Sequence, residues 1–223
     1  MKYFILLILF SFSAFAETTS FPEPMVYDLM RSLDAKKGET EINSLILANG
    51  QMSPEVEYAF KDGWSFELET PIEKGEIQAL KWGSQYTFYQ RENELLMGVQ
   101  GIFEDQLHKP RNDYSLTLVV DYKLSESFSL VGISGMRSAS IENSVDHNVG
   151  ILNLSLFYTV SDDIHVGVEN DNKLYFTDKE LHINTIPQVS VRVNRKLRFQ
   201  AGYGISWNDS RENQGILRGI VEF

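Results

Sequence analysis

Apolar and polar residues alternate with a period of two along most of the chain, the pattern of a strand with one apolar face. Tyr114, Leu116, Leu118, Val120, Tyr122 and Leu124 share one side of such a strand; Ser115, Thr117, Asp121 and Lys123 share the other, with Val119 as the exception. Leu152, Leu154, Leu156, Tyr158 and Val160 alternate with Asn153, Ser155, Phe157 and Thr159. Leu197, Phe199, Ala201, Tyr203, Ile205 and Trp207 alternate with Arg198, Gln200, Gly202, Gly204 and Ser206. These runs are about ten residues long, the length at which a tilted strand crosses a bilayer. Strands of soluble sandwiches average about 5–6 residues.

Two kinds of connection punctuate the runs. Lys61-Asp62-Gly63, Ser125-Glu126-Ser127, Ser161-Asp162-Asp163 and Asn194-Arg195-Lys196 are tight polar turns between apolar strand ends. Between them lie longer polar stretches at 104–113, 138–148, 171–181 and 208–213. Alternation of short turns and long loops marks barrels of the bacterial outer membrane. The segments 39–47, 53–60, 64–72, 76–89, 94–104, 113–123, 128–138, 148–160, 164–173, 182–193, 197–207 and 213–223 predict a fold that is all-β. It is a transmembrane, antiparallel, up-and-down β-barrel of about twelve strands, or ten if the first two segments pair differently. An even count puts both termini on the periplasmic side.

The N-terminus reads as an export signal over 1–16. Lys2 precedes an apolar run from Tyr3 to Phe15, and Ala14-Phe15-Ala16 has the small-x-small form of a cleavage site. The run is short for a membrane helix, which needs roughly 20 residues, although a short anchor is the alternative. Residues 17–38 form a periplasmic segment before the barrel at 39–223. Within it Met25, Val26, Leu29, Met30 and Leu33 fall on one helical face, predicting a short amphipathic helix over 24–36 that Gly38 ends. Such a helix plugs the periplasmic mouth or merely covers apolar side chains at the rim. The covering reading, or no fixed structure, is preferred because short apolar faces usually just pack.

If the apolar faces meet lipid, the alternate positions line the lumen. Glu55, Glu57, Glu67 and Glu69 then point inward from the first strands, and Arg192, Arg198 and Arg218 from the last. Lys81, Gln85, Gln100, Asp121, Lys123, Asn153, His165 and Glu169 come from strands between them. Closure brings the acidic and basic sets together across the seam. Either the lumen is wet and these walls set a transverse field, as in a selective channel, or the charges pair and seal it. Twelve strands enclose more room than the eight whose side chains just fill a barrel, which favours the channel.

Composition removes several classes. The 223 residues contain no cysteine, so disulfides, thiolate metal sites, cysteine nucleophiles and a lipoprotein anchor are excluded. The net charge of −11 argues against nucleic acid as a partner. No dinucleotide, P-loop, HExxH or GxSxG motif is present, and no cofactor or metal is expected. His147 beside Asp146 and Asn148, with Ser144 nearby, supplies parts of a lipid hydrolase, but a solvated loop histidine is the preferred reading. His165, Glu169, Asp171 and His182 read as a polar cluster before they read as a metal site.

The last strand ends on Phe223, with Val221, Gly219, Leu217 and Gly215 at alternate positions. It resembles the C-terminal signal read by the barrel assembly machinery of Gram-negative bacteria. That machinery and outer-membrane lipid are the implied partners. The stretches Tyr27-Asp28-Leu29, Ala35-Lys36-Lys37-Gly38-Glu39, Pro54-Glu55-Val56-Glu57-Tyr58, Asp62-Gly63-Trp64 and Glu67-Leu68-Glu69 resemble uncharacterised proteobacterial outer-membrane proteins. They are also loosely similar to the transporters of the phenol-degradation meta-pathway group. The resemblance implies a barrel in the outer membrane and carries no catalytic residues. The expectation is a passive pore or facilitator for small polar or amphiphilic solutes, with a lipid-modifying enzyme and a sealed structural or adhesion barrel as alternatives.

Overall fold

The computed structural model describes residues 21–25, 32–91, 94–141, 147–208 and 213–223. The alternating segments become strands β1 (Thr40–Leu47), β2 (Met52–Lys61), β3 (Trp64–Glu69), β4 (Ile72–Glu73), β5 (Glu76–Ile77), β6 (Ala79–Arg91) and β7 (Leu95–Gln106). They continue as β8 (Arg111–Lys123), β9 (Phe128–Ile141), β10 (His147–Ser161), β11 (Ile164–Tyr175), β12 (Glu180–Asn194), β13 (Leu197–Ser206) and β14 (Gln214–Glu222). Each long strand pairs antiparallel with its neighbours in the chain, and β14 pairs with β1 from Glu41↔Glu222 to Leu47↔Ile216. The long strands therefore form a closed ring with no edge strand among them. Twelve strands make the wall, and β4–β5 is a small hairpin held to β2 only through Met52↔Ile72. The ten-strand alternative is excluded.

The outward face is apolar and exposed. Leu116 is 67 % exposed, Leu152 65 % and Leu217 56 %. Each such side chain forgoes about 1.5–3 kcal/mol if it faces water, so this surface is built for lipid. Aromatic contacts mark two levels. Phe60–Trp64 (4.8 Å), Trp64–Tyr86 (5.6 Å) and Phe128–Tyr158 (5.0 Å) lie at the end with the short turns and both strand termini. Trp82–Phe103 (5.3 Å) and Phe103–Tyr114 (5.0 Å) lie nearer the other end. Tyr122 and Tyr114, both outward on β8, belong to the two levels. Eight residues of strand tilted by about 40° rise roughly 20 Å, close to the apolar band of a membrane barrel.

Three expectations change. The stretches 104–113, 138–148 and 171–181 are not wholly loops, because β7 to β12 extend into them and shorten the connections. Strand ladders outside lipid need no apolar face, so their polar ends look like loop in the sequence. The hairpin β4–β5 was not anticipated; it turns at Lys74 (φ 53°) and Gly75 (φ 82°), a left-handed pair that glycine makes accessible. Finally, residues 26–31 of the helix predicted over 24–36, and all of the export signal at 1–16, lie outside the described residues. Pro24, Met25 and 32–36 are not helical. Among them, Ala35 N donates to Ser32 O (3.1 Å) in a turn.

Candidate functional site: the barrel lumen

Residues 21–25 and 32–35 of the N-terminal segment lie inside the barrel, while the exposed Lys37, whose N donates to Asp62 Oδ1 (2.8 Å), marks its rim. Residues 21–25 are all buried, as are Ser32, Leu33 and Ala35. The chain enters beside the β2–β3 turn, where Gly38 N donates to Ala59 O (2.7 Å) and Gly63 N to Ala35 O (2.8 Å). Thr87 Oγ1 donates to Leu33 O (2.6 Å). Leu33 packs with Phe21, Leu96, Val119 and Ile133, and Met25 packs with Ile186 and Ile216. The odd apolar residue in the alternation of β8, Val119, thus meets the segment. Two glycines make room: a Cβ at Gly98 would collide with Leu33, and one at Gly202 with Met25. The covering reading preferred from sequence placed this segment at the rim; its described residues 21–25 and 32–35 instead fill lumen space in the short-turn half, and are termed the plug.

Polar contacts hold this plug to the wall. Gln200 Nε2 donates to Glu23 O (2.8 Å) and Arg218 Nη1 to Pro24 O (3.2 Å). Met25 N donates to Glu169 Oε1, which Gln188 Nε2 also reaches. Arg198 lies 3.6 Å from Glu23 and 3.4 Å from Glu222.

The wall itself carries two rows of acids. Glu222, Glu41, Glu57 and Glu67 are successive cross-strand neighbours over β14, β1, β2 and β3. Glu55, Glu69, Lys81, Glu104 and Asp113 form the second row over β2, β3, β6, β7 and β8. Like charges directly opposite are destabilising, so cations must bridge them. Arg218 spans the closing seam, 3.5 Å from Glu41 and 3.9 Å from Glu57. Asn43 Nδ2 donates to the same two carboxylates (3.0 and 2.9 Å). Lys81 lies 2.9 Å from Glu69. Arg137 reaches Glu104 (2.5 Å) and Asp113 (2.7 Å), and Arg111 also meets Asp113 (2.7 Å).

Most residues expected in the lumen are there. Glu57, Glu67, Glu69, Lys81, Asp121, Arg198 and Arg218 are buried and Glu55 is half-buried. Arg192 reaches only the short-turn rim, where it donates to Asp162 O (3.4 Å). The oxygens of Glu55, Glu67 and Glu69 lie within 4.8 Å of one another. The other proposed cluster separates: His165 faces Thr159 (3.1 Å), Asp171 pairs with Lys173 (3.0 Å) and His182 with Glu180 (3.5 Å). Ser144, Asp146 and the side chain of His147 lie outside the described residues. Glu23, Glu41, Glu104 and Arg137 were missed. The strand parity of Glu41, Glu104 and Arg137 carries a signal for the lumen; Glu23, outside any strand, has none.

Above the plug the lumen is hollow. A cavity of about 420 Å³ opens toward the long-loop end, lined by Lys81, Glu104, Asp113, Arg137, Asp171 and Lys173 among others.

A closed, lipid-faced barrel with a charged hollow lumen defines the class of membrane-spanning β-barrels. Its fold is shared with the KdgM porin, solved in complex with disordered oligogalacturonate (TM-score 0.64, 12 % identity, 83 % of this chain and 98 % of that one). It is shared with the NanC porin (0.64, 8 %, 82 % and 98 %) and an outer-membrane channel from Pseudomonas putida F1 (0.66, 12 %, 91 % and 100 %). At these identities the likeness establishes the fold. No protein-family model and no curated protein matches the chain, so the narrower resemblance to the phenol-degradation group has no sequence match behind it.

Proposed function

We propose that this protein is a passive pore of the outer membrane for small polar or amphiphilic solutes, held in a narrowed state by its own N-terminal segment. The observation that carries this reading is the division of one lumen into a hollow charged half and a plugged half. Besides its apolar contacts, the plug is fastened through hydrogen bonds and ion pairs to polar and charged lumen residues. Water and ions can replace such contacts when the segment moves, which a packed apolar core does not allow. Arg198 and Arg218, with the acidic rows from Glu55 to Glu69 and Lys81, would then set ion preference. Asp121, buried nearer the short-turn end, would add a polar group to the lumen wall there. The solved neighbours are channels rather than enzymes, which supports a non-catalytic reading.

Purified protein in planar bilayers should conduct, weakly when intact and strongly when residues 17–25 are deleted. Arg198→Ala or Glu67→Ala in the deleted form should shift the reversal potential in a salt gradient. Folded protein that never conducts in either form would falsify the pore.

One observation favours a sealed structural barrel: Arg198 and Arg218 in the plugged half are paired with Glu23, Glu222 and Glu41. The deletion separates the two readings, since a sealed barrel gains no conductance. We assign Phe223, whose backbone exchanges hydrogen bonds with Thr40 (2.8 and 3.2 Å), to recognition by the assembly machinery. Deleting it should slow membrane insertion in cells, and an unchanged rate removes that role.

A further inference from the structure

The hollow half of the lumen has two unlike walls. Beside the charged cavity, a space of about 790 Å³ runs along Leu45 and Leu47 of β1, Ile186 of β12 and Ile216 of β14. A connecting space of about 270 Å³ beneath the β4–β5 hairpin touches both characters: Leu45, Leu47 and Ile72 on one side, Gln78, Gln106 and Lys109 on the other. Lys109 also lines the charged cavity.

Inward leucines and isoleucines are costly in a water-filled mouth. Met25 of the plug packs on Ile186 and Ile216, and Leu45 and Leu47 pack against that cluster, yet all four wall residues still border open space. Concave sites with apolar walls and a few placed polar groups are the usual form of a small-molecule site. The charges of the mouth differ in availability. Lys81, Arg111, Arg137 and Lys173 each hold a carboxylate at 2.5 to 3.0 Å. Among the described residues Lys109 has no carboxylate partner, and its backbone alone is bonded. Glu73, which borders the same space, is engaged by Lys74 (3.4 Å) and Gln51 (3.3 Å).

We propose that this mouth binds small amphiphilic carboxylates, with the carboxylate at Lys109 and the hydrocarbon body along Leu45 and Leu47. The inference rests on the pore reading and names its solute class. It also gives Met25 a second meaning: a body sliding along Ile186 and Ile216 would compete with the plug for the same surface.

The test uses the intact protein with hexanoate as probe, and butyrate and gluconate as comparisons. Added on the long-loop side of a planar bilayer, hexanoate should block single-channel current about tenfold more tightly than butyrate, as two further methylenes imply. Gluconate, of the same charge, should block least. Lys109→Gln should weaken hexanoate, and Leu47→Asn should flatten the dependence on chain length. Saturation-transfer NMR on protein in nanodiscs, corrected with empty discs, reads binding without conduction. Conduction with equal block by gluconate and hexanoate overturns the inference and leaves the pore standing. Saturation transfer lost in Lys109→Gln, with no conduction from any form, keeps the site and overturns the pore.

Discussion

Glu23 of the N-terminal segment and Arg198 of β13 lie 3.6 Å apart, both more than nine-tenths buried. The pair joins a residue outside the barrel sheet to one whose strand position points it inward. Arg198 also has Glu222 at 3.4 Å, so it stays compensated if the plug leaves. Replacing Glu23 by Gln should therefore loosen the plug without harming the wall. A lost charge-assisted contact costs about 1–3 kcal/mol, and each 1.4 kcal/mol is about tenfold in equilibrium. Single-channel recordings should show openings about tenfold more frequent. Unchanged gating would mean that Glu23 does not hold the segment.

Gly202 offers a steric route to the same state. A side chain there would occupy the place of Met25, with the Pro187 carbonyl 3.0 Å from the new Cβ. Gly202→Val should expel Met25 and raise conductance, while the heat-modifiability of the barrel on gels stays near that of the parent. A plug that tolerates valine would give parental conductance instead.

Arg218 has a different task. It lies against Glu41 and Glu57, which face each other across β1 and β2, and so neutralises the closing seam. Arg218→Met should lower the unfolding free energy by about 3–5 kcal/mol, the cost of leaving buried charges unpaired. The double variant with Glu57→Gln should recover part of that loss, because one of the two carboxylates is then neutral. Urea unfolding in detergent measures both, and strict additivity of the two changes would argue against coupling.

Arg137 serves the open half. It is the shared cation of Glu104 and Asp113. Arg137→Ala removes one cation from the wall that carries Glu104 and Asp113, so the reversal potential in a potassium chloride gradient should move toward cation preference. Movement toward anions would show that this wall does not set selectivity.

Much of this structure is legible in the chain itself. Alternation with a period of two determines which side chains meet lipid, because successive residues of a strand point to opposite faces. It therefore placed Glu57, Glu67, Asp121, Arg198 and Arg218 inward before any pairing was known. The three-residue turns predicted antiparallel neighbours, and the segments predicted about twelve strands, with ten left open until the sheet was seen to close. What the tertiary structure decided lies where no period applies. Phe21, Glu23 and Met25 belong to no strand, and their burial depends on the lumen surfaces that twelve closed strands create. Nothing in the sequence marks the glycines at 98 and 202 as sockets, yet in the barrel they make room for Leu33 and Met25. Likewise, pairing Arg218 with Glu41 needs the last strand beside the first, a contact that only closure of the sheet produces.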